Sequence, residues 1–483
     1  MITQIEIDGF KTFKDFKVEL APFQVIVGPN GSGKSNLFDA LELLSRFASK
    51  DLRSAFQDMR GDADDLFTLL PGGKRVDKIR LAVEMLVGKK VEDRWGREAE
   101  LKYRRFRYEI EVVARPGSDT SSSDELLITH ELLRAISPSK DTWSKKHNIP
   151  LRDDWKYFIQ TYQPGTKSLS ASRSKEQFDT NEETLIELAF DTDTPMKGIP
   201  QSFSAAKMQS SALSSVNDIN HPHAFAAHEE LRSLKFLHLN PEELRQPSSV
   251  KAPSFLSAEG SNLPTMLQRM QHEDKFALND VSRDLANLVP DVVGVMLTKD
   301  DILNKYTVWV QYMDGRSVPS SVLSDGTLYL LALAALRNDP QFHGVLCFEE
   351  PENGVHPAIL KDVAHLFKRL ATDFNDPEQE NEPLNQILIT THSPTFISVP
   401  GVIDSLLFAN SVTLVEPRNL TLQITQMRPV VTSRAGATAN RNTGTEDTMD
   451  VYTIDQIIKY LDSQSLEEAH EQLDKARTKM NEG

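Results

Sequence analysis

Residues 28–35 read Gly-Pro-Asn-Gly-Ser-Gly-Lys-Ser, and few strings of this length restrict the surrounding fold so strongly. They fit G-x-x-x-x-G-K-[ST], a loop whose backbone N–H groups converge on an anion. Such a loop works only where a strand delivers the chain and a helix carries it away. Phe23 to Val27 (FQVIV) is an apolar, β-branched run of strand length. Asn36 to Ala48 has apolar residues at helical spacing and no Pro or Gly. Gly28, Gly31 and Gly33 let the backbone close on phosphates with no Cβ in the way. Lys34 would reach the β- and γ-phosphates, and the Ser35 hydroxyl would ligate Mg²⁺. Asn30, Gly31, Ser32, Gly33, Lys34, Ser35 and Asn36 are therefore the expected contacts of a nucleoside triphosphate such as ATP.

Three further stretches follow. Ser320 to Leu336 (SSVLSDGTLYLLALAAL) sets Ser-Asp-Gly-Thr before a strongly apolar helix. Ser324 is then an N-cap and the following amides, with Gly326 among them, face outward as an anion site; the same turn is also ordinary capping chemistry. Gly344 to Pro357 (GVLCFEEPENGVHP) is an apolar strand ending in Glu349 and Glu350. Carboxylates at such a strand end suit Mg²⁺ coordination and water activation, though a solvated acidic end reads the same way. Gln386 to Phe396 closes a third buried-type strand with Thr391-His392-Ser393. A histidine there is as readily structural as functional. The order of loop, capped helix, paired acids and strand-terminal histidine says more than any one of them.

In this order the motifs resemble those of ABC-type ATPases of the RecF, SMC and OLD group (AAA_21-like, without a Toprim nuclease domain). By that resemblance GPNGSGKS is Walker A, Leu323 to Thr327 (LSDGT) is the signature, and CFEE ends Walker B. The resemblance implies that Glu349 belongs to the Mg²⁺ shell and Glu350 polarises the attacking water. It implies a D-loop at Glu352 to His356, and His392 as the sensor of the γ-phosphate. Ser324 would cap the γ-phosphate of a nucleotide held by a second subunit. Two positions depart from the transporter pattern: Glu349 replaces Asp, as in the RecF/OLD-like branch, and Asp325 stands where transporters carry Gly. Gln57 is the candidate for the glutamine loop, and Lys11 and Lys14 for an approach to base and ribose. The implied fold class is α/β: an ABC-type P-loop ATPase with a mixed sheet, interrupted by a helical or irregular insertion.

The 483-residue chain carries one cysteine, Cys347, inside the Walker B strand. One thiol excludes a disulfide framework and fits a reducing, cytoplasmic setting. No apolar run approaches the length of about twenty residues that spans a bilayer, so a membrane role would require partner subunits. The net charge of −16 is unlike that of dedicated nucleic-acid binders, which are basic overall. DNA contact would then need a local basic track. Lys102 to Arg115, five of whose residues are Lys or Arg, and Ser139 to Arg152 are the candidates. The first alternates as a strand, so its cations also read as a solvated face.

Walker A and the signature lie nearly three hundred residues apart. The expected organisation is an ATPase N-terminal half at 1–136, an insertion at 137–230, and a C-terminal half at 231–430. A polar linker at 431–452 and a helical segment at 453–483 follow. Ile79–Leu86, Phe106–Val113 and Leu126–Ile136 form a strand meander with a polar loop at 114–124, and the insertion is irregular and partly helical. It lacks the heptads of a long coiled coil. Glu446, Asp447 and Asp450 lack flanking strands and read as linker charges, so no nuclease metal site is visible.

The implied function is a homodimerising ATPase switch, with ATP sandwiched between one protomer's Walker A and the other's Ser324. DNA maintenance or antiphage defence is the implied setting, with a separately encoded nuclease as effector. The alternatives are a scaffold with scarcely hydrolysed nucleotide and a peripheral transport ATPase.

Overall fold

The computed structural model describes residues 1–115, 125–147, 149, 156–162, 184–188, 201–353, 355–376, 383–399, 401–416, 420–431 and 452–453. The first strand, Ile2–Asp8, pairs antiparallel with Phe16–Glu19 on one side and Lys78–Leu86 on the other. Arg105–Arg115 and Glu125–Ala135 extend this sheet. Three short strands, Tyr157–Tyr162, Leu185–Leu188 and Gln201–Ser204, complete eight antiparallel strands. The stretch read as an irregular insertion thus builds an edge of the N-terminal sheet. Its strands are too short to show a period in the sequence, and only pairing partners define them. Ala114 and Arg115, expected in a loop, remain in the strand. Ser168 to Glu183 lie outside the described residues.

The second sheet carries the motifs. Its order is Lys235–Leu237, Gly344–Glu349, Asn385–Thr391, Phe23–Val27, Leu406–Glu416, Leu420–Val431 and Tyr452–Thr453. The first five strands run parallel, Leu420–Val431 returns antiparallel, and Tyr452–Thr453 joins it in parallel. The sheet is mixed, as expected. Its central strands are continuous apolar runs because both faces are covered. Val25 and Val27 point into a core shared with helices Leu263–Glu273, Ala277–Leu288, Asp325–Arg337 and Leu360–Leu370. Ile26 points the other way, into a core with helices Lys34–Ser49 and Pro222–Arg232 and the antiparallel sheet. Buried Gln386 stitches the two sheets: its Oε1 accepts from Ile2 N at 2.7 Å, and its Nε2 donates to Ile2 O and Ala21 O at 2.7 and 3.0 Å.

A small sheet of Ser248–Ser249, Val292–Asp300, Lys305–Tyr312 and Ser317–Pro319 precedes the signature. Tyr452, the last residue of the expected linker, and Thr453, the first of the expected helical segment, form a two-residue strand, and the rest of that segment lies outside the described residues. So do the linker charges Glu446, Asp447 and Asp450. Among the described residues no helix is long and apolar enough to cross a membrane.

The candidate basic track at Lys102 to Arg115 is largely turned inward. Arg105, 1% exposed, donates to both carboxylate oxygens of Asp141 at 2.7 and 3.2 Å, to Thr3 Oγ1 at 2.5 Å and to Glu84 at 3.2 Å. Arg107 bridges Glu6 and Glu109, and Arg80 completes Glu109. In the second candidate track Asp141 caps the helix Thr142–Lys146, and Trp143 is buried. Lys102 to Arg115 therefore supplies structural cations more than a nucleic-acid groove.

Glu131 sits on the same sheet, fully buried. It accepts from Ala212 N at 2.7 Å, Leu213 N at 2.9 Å and Tyr108 Oη at 3.1 Å. Burial pushes its carboxyl up to about 7, against the pull of those donors. A carboxyl whose folded pKa exceeds its unfolded value holds a proton that the unfolded chain releases. Its ionisation therefore costs stability as pH rises from the unfolded value to about 7. In Glu131→Gln an amide NH₂ replaces one acceptor and an amide donor is orphaned, costing about 1–3 kcal/mol. The deficit in thermal midpoint against wild type should narrow from pH 5 to pH 8; a pH-independent deficit would refute the assignment.

Candidate functional site

The loop after Phe23–Val27 takes its shape from glycine. Gly31 (φ 76°) and Gly33 (φ 91°) are left-handed, and Gly33 is the N-cap of the helix Lys34–Ser49 with no side-chain cap. The first amides of that helix are thus left to an anion. A Cβ on Gly33 would run into the hydroxyl of Thr425, which the returning strand Leu420–Val431 lays over the loop. Thr425 Oγ1 lies 2.7 Å from Thr12 Oγ1, which accepts from Asn36 Nδ2 at 2.9 Å. Asn36 thereby ties the helix start to the turn after the first strand. Sequence reasoning missed Thr425, although the alternation of Leu420 to Thr425 carries its strand.

Lys34 is 8% exposed and its Nζ donates to Gly28 O at 2.7 Å and Pro29 O at 3.0 Å. Burial lowers its pKa, while Glu350 and Glu352 oppose the shift. The Ser32 hydroxyl is buried without a partner among the described residues. Asn30 and Gly31 are exposed at the loop tip. A buried unpartnered hydroxyl, a cation and outward amides form a donor set for phosphate.

The strand Gly344–Glu349 ends beside this loop. Glu350 leaves it with φ 49°, in the left-handed region that bulky residues avoid. Its Oε1 lies 3.1 Å from His392 Nδ1, and its Oε2 accepts from Asn353 Nδ2 at 3.0 Å. Paired acid and strand-terminal histidine, 42 residues apart, are brought into contact. Glu352 Oε1 accepts from Thr391 Oγ1 at 2.6 Å and from the amides of His392 and Ser393 at 3.1 Å each. It locks the backbone on which His392 stands, a role the sequence did not disclose.

Glu349 Oε1 is held by Arg60 Nη2 at 2.8 Å, and Arg60 Nε donates to Asp39 at 3.1 Å. Lys11 reaches the other oxygen of Asp39 at 2.6 Å. Burial would lower the Arg60 pKa, but Glu349 and Asp39 raise it. Gln57 lies exposed at the end of the helix Leu52–Gln57, and Arg60 rather than Gln57 meets the acidic strand end. Cys347 is buried, and burial pushes its thiol well above the usual range, as befits a core residue.

The signature forms a separate pole. Ser324 caps the helix Asp325–Arg337, its Oγ accepting from Thr327 N at 3.2 Å and lying 2.8 Å from Thr327 Oγ1. Among the described residues its hydrogen bonds stay in this turn, and Ser324 itself is exposed. Tyr329 of the same helix packs edge-on against Phe348 at 5.9 Å, so the signature helix lies against the acidic strand.

Phosphate loop, acidic strand end and histidine lie on one mixed sheet with the signature helix beside them, the layout of a P-loop ATPase domain. The chain belongs to the family described as "AAA domain, putative AbiEii toxin, Type IV TA system", which it matches over residues 23–398. The chromosome partition protein Smc of Bordetella petrii is 31% identical over 124 residues, covering 25% of this chain and 10% of that protein. Structural maintenance of chromosomes protein 4 of Caenorhabditis elegans is 44% identical over 59 residues, covering 11% and 4%. The chain thus spans at most about a tenth of these relatives. Among solved structures, the SMC head bound to the C-winged-helix domain of ScpA aligns with TM-score 0.45 and 13% identity, over 88% of this chain and 97% of that one. The SMC head domain from Thermotoga maritima aligns with TM-score 0.35 and 11% identity, over 89% and 99%.

Proposed function

We propose that the chain is an ATP-hydrolysing switch that dimerises around two nucleotides, each bound by one protomer's phosphate loop and closed by Ser324 of the other. The observation that carries this reading is the contact of Glu350 with His392 at 3.1 Å, while exposed Ser324 bonds within its own turn. Ser35 and Glu349 are the residues that would hold Mg²⁺, which when bound neutralises the charge on the phosphates. Glu349 would exchange Arg60 for the metal, the 60% exposed Arg60 side chain keeping its ion pair with Asp39. Glu350 is the carboxylate that orients and deprotonates water, and His392 holds that carboxylate and answers the γ-phosphate. The relatives named for chromosome partition support a setting in DNA maintenance; antiphage defence with a separately encoded nuclease as effector rests on the resemblance to the OLD-like branch alone.

Steady-state phosphate release tests the chemistry. Glu350→Gln should retain nucleotide binding and lose turnover by on the order of 10²-fold or more, the usual weight of a general base. Light scattering should then show that variant dimerising on ATP; an unchanged mass from an apo monomer would count against the sandwich. A second reading, a scaffold with structural nucleotide, is favoured by Arg60, which already satisfies Glu349. Equal background release from wild type and Glu350→Gln would select it.

A further inference from the structure

Ser324 is bracketed by one side chain from eighty residues earlier. Arg245 Nη1 donates to the carbonyl of Leu323, the residue before Ser324, and Nη2 donates to the carboxylate of Asp325, the residue after it. The carbonyl of Arg245 also accepts from Ser320 Oγ at 2.9 Å, in the 3₁₀ turn that leads into the signature. A planar guanidinium fixes two acceptors at once, which a flexible ammonium does not.

The other end of this segment is anchored on the acidic strand. Leu237 pairs in parallel with Phe348, next to Glu349. The chain then turns at Asn240, whose side chain caps the helix Pro241–Leu244, and Arg245 is the residue that ends it. Leu244 is fully buried beneath Gly260, where an added Cβ would collide with it. A short rigid path therefore joins the strand bearing one protomer's carboxylates to the serine it displays.

Stability does not explain the pair. The Arg245 side chain is 27% exposed and that of Asp325 55%, and ion pairs at such positions stabilise by at most about 1 kcal/mol. The departure at Asp325 from the glycine of transporter signatures gives the guanidinium its carboxylate.

We propose that Arg245 is the positioning residue of the signature loop, setting Ser324 for the nucleotide of the partner protomer and coupling it to the protomer's own carboxylate strand. This rests on the shared-site reading above. Arg245→Ala should lower turnover by about ten- to a hundredfold, the scale of a misplaced contact. Affinity for a fluorescent ATP analogue should stay within about twofold and the thermal midpoint within about 2 °C, since a half-exposed pair adds little to either. Arg245→Lys should fall between the variant and wild type.

The decisive arm mixes variants. Arg245→Ala supplies a sound phosphate loop, and Lys34→Ala supplies a sound signature. Random pairing in a two-fold dimer makes one intact site in half of the dimers, so an equimolar mixture should recover roughly a quarter of wild-type turnover. Arg245→Ala mixed with Ser324→Ala should recover nothing. If Ser324→Ala with Lys34→Ala recovers but Arg245→Ala with Lys34→Ala does not, the role of Arg245 is refuted and the shared site stands. If the Ser324→Ala mixture also stays at background, the shared site is refuted and this inference with it. Should Arg245→Ala fail to fold, Arg245→Lys and Asp325→Asn carry the test: reduced turnover at unchanged affinity supports the inference, and wild-type turnover in both overturns it.

Discussion

Lys34→Ala is expected to reduce nucleotide binding to near background. Its ammonium is buried in the loop, donates to Gly28 O and Pro29 O at 2.7 and 3.0 Å, and lies within electrostatic reach of Glu350 and Glu352. Removing it would take away the cation proposed to meet the phosphates and leave the two carboxylates facing a polyanion. Two charge-assisted hydrogen bonds at about 1.5–3 kcal/mol each amount to at least two orders of magnitude in affinity. Titration of the pure protein with a fluorescent ATP analogue measures this directly. Affinity within threefold of wild type would mean that the loop amides hold the phosphates without the lysine. The thermal midpoint in the absence of nucleotide reports any loss from the severed loop contacts.

The second large effect lies far from the nucleotide. Arg105→Met should cost about 3–5 kcal/mol, the range for breaking a buried ion pair on one side. It would strand Asp141 and Glu84, both partnered by Arg105, and the hydroxyl of Thr3. Burial alone would raise the Asp141 carboxyl, but Arg105 and the amide of Ser144 hold it below the usual range. A carboxylate with a depressed folded pKa adds stability above its unfolded value and loses it on acidification. The wild-type advantage over Arg105→Met should therefore be full at pH 7 and shrink towards pH 3. At pH 7 the thermal midpoint should drop by about 3–5 °C for a chain of this length. Adding Asp141→Asn should cost less than its effect alone, since both variants remove one interaction. Strict additivity would show that the pair is not energetically coupled.

Much of the candidate site was legible because its chemistry is local. The phosphate loop needs glycines and a lysine in a fixed order, and the strands Phe23–Val27, Gly344–Glu349 and Asn385–Thr391 announce themselves as apolar runs. Ser324 was legible as a cap for the same reason. What escaped depends on partners far along the chain. Arg60 and Glu349 are 289 residues apart, and nothing near either names the other. The same holds for Arg245, which ends the helix Pro241–Leu244 and whose carboxylate partner, Asp325, lies 80 residues further on. The basic stretch at Lys102 to Arg115 shows the converse. Alternating cations on a strand look alike whether they face water or the glutamates of neighbouring strands, and only the pairing with Glu6, Glu84 and Glu109 settles which. The three strands after residue 156 were missed because four to six residues cannot display a period.

The position of Phe23–Val27 in the parallel sheet has a consequence for synthesis. Its two neighbours, Asn385–Thr391 and Leu406–Glu416, are made more than three hundred and fifty residues after it. At translation rates of about 5–20 residues per second, this apolar strand waits roughly 20–70 s for its first partner. During that interval its five residues, all buried in the finished fold, have no sheet to enter. The sheet around the phosphate loop can therefore close only after Asn385–Thr391 and Leu406–Glu416 have been made.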